Sequence, residues 1–459
     1  MHYARWATQE EMKEILKQTD PKGKVEEAGL PLIYEKEAMY IEKENSHSLI
    51  IGSTGSGKTQ TVTLPLCRLA IKAEESMVIN DSNGELYTKL IGELEKENYN
   101  VIVLDFDDPK KGNGWNPLTL PYTLYRNGQK DKALELIDSI GYYIFPDKSD
   151  NRDPFWTNSC ISYFIGLVLY LFENAKEEEI HLNSVFALSN DMRTLESKEE
   201  GSIKKWLVGL DKNSVIYMQL SSTLLAPPDT RGSIISVFEQ MLKNYVTREN
   251  LSKMLCKSDF DIQKMGTEKT ALFMVSGMKN YSDFLVPMFV EQAFHSIDLF
   301  GQKERTVHMI LDEFEKILLI RNFNALLRHA TSISVKFTAL ITSFTELKNV
   351  YGKENLEIMK YCFGNMIYLL SKDMSTLEEI SKMCGNTLTE ENKVLPLITV
   401  EELKTLKKFE AVVLIPRMMP FKTKLIPDYQ IDWEFVEKEK EIPNLLPREV
   451  SIFHITPTL

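Results

Sequence analysis

The segment HSLIIGSTGSGKTQTV, residues 47–62, restricts the fold more than any other part of this 459-residue chain. It holds the pattern G-x-x-x-x-G-K-[ST], fixed by Gly52, Gly57, Lys58 and Thr59. Such a loop works only where a strand delivers it and a helix receives it. The apolar run SLII supplies the strand. KTQTVTLPLCRLAIK supplies a helix whose N-terminus aims amide N–H groups and a partial positive charge at an anion. The backbone from Gly52 through Ser53, Thr54, Gly55, Ser56, Gly57, Lys58, Thr59 and Gln60 is therefore expected to wrap a nucleotide's phosphates. Lys58 is expected to contact the β- and γ-phosphates and the Thr59 hydroxyl to ligate Mg²⁺, so ATP and Mg²⁺ are the expected ligands.

A phosphate loop needs an acidic partner at the end of a neighbouring strand, and VHMILDEF offers Asp312 and Glu313. Asp312 is expected to hold Mg²⁺ through water, and Glu313 to polarise the attacking water. Two further strand ends are candidates for sensing the γ-phosphate. MVINDSNGELY places Asp81 and Glu85 around Gly84, and ALITSFTEL offers Thr342; turn chemistry is the alternative for each. No LSGGQ-like segment and no N-K-x-D occurs, which argues against an ABC subunit and a guanine reader. A RecA-like motor with its site between subunits remains, a neighbour supplying an arginine.

Further strand-like runs follow the loop at 77–80, 101–106, 271–276, 308–314, 337–343, 366–371 and 411–416, with helical patterns between most of them. Alternation of this kind predicts an α/β, mainly parallel sheet covered on both faces. Residues 121–250 carry helical periodicity almost throughout. The expected organisation is thus a discontinuous nucleotide-binding domain, 1–120 and 251–459, with an all-α domain inserted at 121–250. CISYFIGLVLYLF, residues 160–172, reads as a buried helix too short to cross a bilayer. Five scattered cysteines with no C-x-x-C pair predict neither disulfides nor structural zinc. A net charge of −12 confines any DNA contact to a lining or rim.

The motifs HYARWATQEE, LIIGSTGSGKTQTVTLP, MVINDSNGELY, NGWNPL, DPFWTNSCISYFIGLVLYL, RGSIISVFEQML, HMILDEFEKI, ITSFTELKNVYG, NMIYLLSKDMSTLEEISKMCG and FEAVVLIPRMMPFKTKLIPDY follow in that order. The chain in this respect resembles type IV secretion coupling proteins of the TraG/TraD class, which are FtsK/HerA-related. The resemblance implies a ring-forming ATPase, expected as a hexamer, that brings a relaxase with its DNA, or a protein substrate, to a type IV secretion channel. It implies single-stranded DNA within the ring channel and a location at the cytoplasmic face of the membrane. It also implies a substrate-recognition role for the helical insert and a trans-acting arginine near Arg328, with Arg321 second. Two departures stand out. Asp81-Ser82-Asn83-Gly84-Glu85 replaces the family's usual D-P-K-G-E, and Thr342 stands where glutamine is usual. Family members carry membrane helices before A-R-W-A, so this chain is expected to be a soluble fragment of a membrane protein, with a member that has lost its anchor as the alternative. A housekeeping DNA translocase of the FtsK/HerA type and an ATP-binding docking adaptor are the alternatives.

Overall fold

The computed structural model describes residues 3–35, 38–43, 46–146, 154–198, 201–277, 282–301, 305–435 and 438–455. His2 and Asp153, which open two of the quoted motifs, lie outside them. The chain forms two compact units. The first comprises residues 1–103, 263–276 and 294–441; the second comprises 104–262, 277–293 and 442–459.

Short strands β1 (Lys17–Thr19), β2 (Pro31–Glu35) and β3 (Ala38–Ile41) make a small antiparallel sheet in the order β1-β3-β2. The main sheet takes β4 (Ser48–Gly52), β5 (Ser76–Asp81), β6 (Asn100–Asp105), β7 (Thr270–Val275), β8 (Val307–Leu311), β9 (Val335–Ile341) and β10 (Asn365–Leu370). After a hairpin of β11 (Asn386–Leu388) and β12 (Val394–Pro396) it also takes β13 (Glu410–Leu414) and β14 (Phe421–Lys424). Its order is β14-β13-β10-β4-β9-β8-β5-β7-β6.

From β10 to β7 every pairing is parallel, while β13 and β14 extend the β10 edge antiparallel. Strands β4, β5, β7, β8 and β9 are buried along their whole length. That burial is why they read as mainly apolar runs. β14 has no such signature, because FKTK is partly exposed.

The second unit is helical between Thr119 and Met254. Its longest helix, Phe155–Asn174, has 20 residues and by length and composition could cross a membrane. It extends past the apolar run at both ends, which makes it longer than the run implied. It is a core helix here: Tyr163 meets Phe238 edge-on at 4.9 Å and Phe164 meets Phe145 edge-on at 5.7 Å. The segment after residue 441 straps onto this unit. The Arg448 guanidinium pairs with Asp259, and Ser184 Oγ accepts from the Phe453 amide at 3.1 Å. The compact units are thus divided at other points than residues 121 and 250, with the tail 442–459 grouped with the helices.

Beneath the first unit's sheet lies a buried charge cluster. Arg68, on helix Leu64–Lys72, donates to both carboxylate oxygens of Asp428, at 2.8 and 3.2 Å, and ion-pairs with Glu93 of helix Glu85–Lys96. All three side chains are almost fully buried, and Trp433 Nε1 adds a donor to Asp428 at 3.0 Å. Removing one partner of such a cluster strands the other charges in a low dielectric. Arg68→Met is expected to cost about 3–5 kcal/mol in urea unfolding. A loss below about 1 kcal/mol would show that the cluster does not hold these segments together.

Candidate functional site

β4 ends at Gly52, and the next amide, Ser53 N–H, donates to the Leu370 carbonyl of β10 at 2.7 Å. The loop then closes on itself through Ser56 N–H to the Ser53 carbonyl at 3.0 Å. A Cβ on Gly52 would lie 2.4 Å from Ser56 Oγ and 3.0 Å from Lys58 Cγ, so a larger residue there would push both side chains out of the closed loop. Gly57 has φ +101, a conformation that side chains disfavour. Ser56 Oγ is buried without a hydrogen-bond partner among the described residues. An orphaned hydroxyl inside a glycine-built cradle fits an anion ligand.

The helix that receives the loop starts irregularly. Thr59–Thr63 is a π turn in which the Leu64 amide donates to Thr59 O, and the regular helix runs on from Leu64 to Lys72. Pro65 has no N–H to offer the preceding turn, which accounts for the wider winding there. Lys58 Nζ donates to the Gly52 carbonyl, folding back along the loop. Burial holds this ammonium below its ordinary pKa, opposed by the charges of Asp312, Glu315 and Glu313.

Those carboxylates come from the end of β8. The sequence suggested a strand next to β4, but β9 lies between β4 and β8, so the acids face the loop across one intervening strand. Asp312 receives the Glu313 amide on Oδ1 at 3.0 Å, and its carbonyl accepts from Asn80 Nδ2 at 2.8 Å. Burial raises the Asp312 carboxyl, and Lys58 counters it. Glu313 adopts the left-handed backbone, φ +51, and its Oε1 lies 2.7 Å from Lys316 Nζ. A glutamate in that region is uncommon, and such residues gather at functional sites.

The loop, Asp312 and Glu313 line one open cleft of about 410 Å³. Ser53, Thr54, Gly55, Gly57, Lys58, Thr59 and Gln60 form one wall; Asp81 and Glu85 belong to another. Glu85 is bonded to Lys89 at 2.5 Å. Asp81 accepts from the Tyr87 amide at 2.9 Å, and burial pushes its carboxyl up to about 6, with Asp312 and Glu85 adding repulsion.

Thr342 follows β9 but does not line the cleft. Its hydroxyl donates to Glu346, and its amide donates to Glu315 Oε1 at 3.0 Å. Arg328 lies exposed in the last turn of helix Phe323–Ala330, away from this cleft, and among the described residues no carboxylate pairs with it. Arg321 is half-buried and has a partner.

Four residues at or beside the cleft escaped the sequence reading. Lys408, Phe409 and Tyr429 line it from the β13–β14 side. Glu315 is buried behind it; burial raises its carboxyl, and its charge acts on Lys58. An aromatic just before an apolar strand, as in KKFEAVV, is the only trace of the first group.

Asp81 gives a pH test. Its folded-state pKa lies above the ordinary 3.8, so the folded state binds the proton more tightly and stability falls as pH rises from about 4 through about 6. Asp81→Asn keeps an acceptor for the Tyr87 amide. In nucleotide-free, metal-free protein it is expected to gain about 1–3 kcal/mol at pH 7 and to flatten urea-unfolding stability across that window. A less stable variant at pH 7 would contradict the assignment.

The profile of the family described as type IV secretory system conjugative DNA transfer matches residues 4–395. Among solved structures, unbound bacterial conjugative coupling protein TrwBdeltaN70 is 16% identical with a TM-score of 0.65, covering 97% of this chain and 96% of that one. Plasmid coupling protein TrwB in complex with the ATP analogue ADPNP gives the same identity, TM-score and coverage. VirB4 of Thermoanaerobacter pseudethanolicus is 10% identical with a TM-score of 0.56, covering 88% of this chain and 98% of that one. No curated protein matches significantly. At these identities the structural likeness establishes the fold, a RecA-like sheet with an all-α unit. The profile establishes more: the chain belongs to the type IV secretory system conjugative DNA transfer family.

Proposed function

We propose that this chain is an ATP-hydrolysing coupling protein that brings a relaxase with its DNA, or a protein substrate, to a type IV secretion channel at the cytoplasmic face of the membrane. One observation carries the reading: Lys58 and the pair Asp312 and Glu313 line the same cleft, with the lysine inside the field of the carboxylates. The family match favours this over a housekeeping translocase.

In the proposed mechanism the loop amides from Ser53 to Gln60 and the Lys58 ammonium hold the polyphosphate. Thr59 and Asp312 would hold Mg²⁺, which when bound neutralises charge on the phosphate oxygens. Glu313 orients the attacking water and takes its proton, which requires the carboxylate to leave Lys316. Asp81 and Glu85 face the cleft as sensors of the γ-phosphate. Thr342 contributes only through its amide, which fixes Glu315.

Arg328 acts in trans in a ring, proposed as a hexamer, where its fixed planar charge stabilises the neighbour's transition state. Among the described residues none of the helical segment 121–250 lines the cleft, and this segment is assigned to substrate recognition. Single-stranded DNA is assigned to the ring channel, consistent with an acidic chain that has little use for phosphate on its outer face.

Calorimetric titration with a non-hydrolysable ATP analogue tests the division of labour. Glu313→Gln should bind it as the wild type does and lose about 100-fold or more in turnover, whereas Lys58→Ala should lose affinity by about tenfold or more. Full turnover in Glu313→Gln would remove that residue from the chemistry. In the same assays Arg328→Ala should bind and turn over poorly, and mixing it with Lys58→Ala should restore part of the activity. Assembled mixed rings without restoration would leave Arg328 a surface charge.

A further inference from the structure

We propose that Phe409 and Tyr429 form the base-binding platform of the cleft, taking the purine ring of the nucleotide by stacking; the proposal rests on the ATPase reading above. The phosphate loop accounts for one part of the cleft and the four acids for another. A neutral aromatic base gains nothing from either. Beyond them the large apolar or aromatic side chains on the cleft are Leu86, Phe409 and Tyr429. Two of these are the π surfaces that stack on a base whatever its hydrogen-bonding edge.

Phe409 is held where a base would need it. Its backbone is left-handed, φ +71, an outlier for an aromatic residue. Two contacts fix it there. Its carbonyl accepts from the Leu425 amide at 2.9 Å, and its ring lies against the bare face of Gly57, where a Cβ would come within 2.9 Å of ring carbon Cε1. The ring therefore abuts the loop that holds the phosphates. The Lys408 ammonium lies over the same ring, 4.9 Å from its centroid, so a base that stacks on that face displaces an exposed lysine.

Tyr429 is 65% exposed, yet it belongs to the cleft and not to the surrounding surface. Its neighbour Asp428 explains how an exposed ring stays in place. That carboxylate is buried on Arg68, from the very helix that begins at the phosphate loop, and on Trp433 Nε1. Because the segment carrying Tyr429 is pinned to the phosphate-binding helix, the ring keeps its distance from the phosphates. The cost of ordering it is met by the fold, and a base meets a preformed surface.

The experiment compares two ligands that share the polyphosphate and differ in the base: a non-hydrolysable ATP analogue and inorganic tripolyphosphate, each with Mg²⁺, titrated calorimetrically into the full chain. Wild type should bind the ATP analogue about tenfold or more tightly than tripolyphosphate. Tyr429→Ala, at an exposed position that the fold does not need, should lose about tenfold for the ATP analogue and nothing for tripolyphosphate. Tyr429→Phe should restore the affinity. Phe409→Leu, which keeps an apolar side chain against Gly57, should show the same selective loss as Tyr429→Ala. Unchanged ATP-analogue affinity in both Tyr429→Ala and Phe409→Leu, or equal losses for the two ligands, would overturn the platform while leaving the ATPase reading intact. Failure of wild type to bind either ligand would overturn the ATPase reading itself, and the platform with it.

Discussion

A guanidinium buried between two carboxylates anchors the nucleotide cleft. Arg68 belongs to the phosphate-loop helix, Glu93 to the helix that follows Asp81, and Asp428 to the segment after the last strand of the sheet. Each alone would be a costly charge in the interior. Together they neutralise one another, and each can be buried only if the other two segments are in position. The two sides of the cleft are therefore set by one interaction about two to three helical turns behind the phosphate loop. The loop's glycines then need only close locally, with Gly52 making way for Ser56.

Within the cleft the charges are arranged for a ligand that is strongly anionic. Lys58 is surrounded by carboxylates and turned back onto the Gly52 carbonyl, while Glu313 is held by Lys316. A polyphosphate relieves the first arrangement by giving the ammonium a better partner. The second is a check on the proposed base, because a glutamate paired with a lysine is not free to accept a proton. Glu315 and Thr342 sit one layer behind, tying the end of β9 to the acidic segment after β8. The position where the family usually places glutamine acts here through its backbone.

The parts legible in the sequence were those set by short-range rules. Eight of the nine main-sheet strands announced themselves because burial, complete in five of them, leaves a mainly apolar run, as in TALFMV of β7, buried at all six positions. The phosphate loop was legible because only glycine satisfies its geometry. What stayed hidden depends on long-range placement. β14 is half-exposed and reads as a charged loop, and the order of β4, β9 and β8 is a property of the assembled sheet. Phe409 and Tyr429 stand some 350 to 370 residues after the loop they approach, with no periodicity to mark them. Thr342 stands off the cleft for a similar reason: the direction of a side chain at a strand end is decided by its neighbours, and here Glu346 captures the threonine hydroxyl.

The claim that these features serve a DNA-coupled motor is tested most directly by steady-state ATP hydrolysis of the purified chain, measured with and without single-stranded DNA at low salt. The account predicts hydrolysis that requires Mg²⁺ and rises several-fold with DNA, the stimulation fading as salt screens the phosphates. Hydrolysis indifferent to DNA in assembled rings, or none in protein that binds ATP, would contradict it.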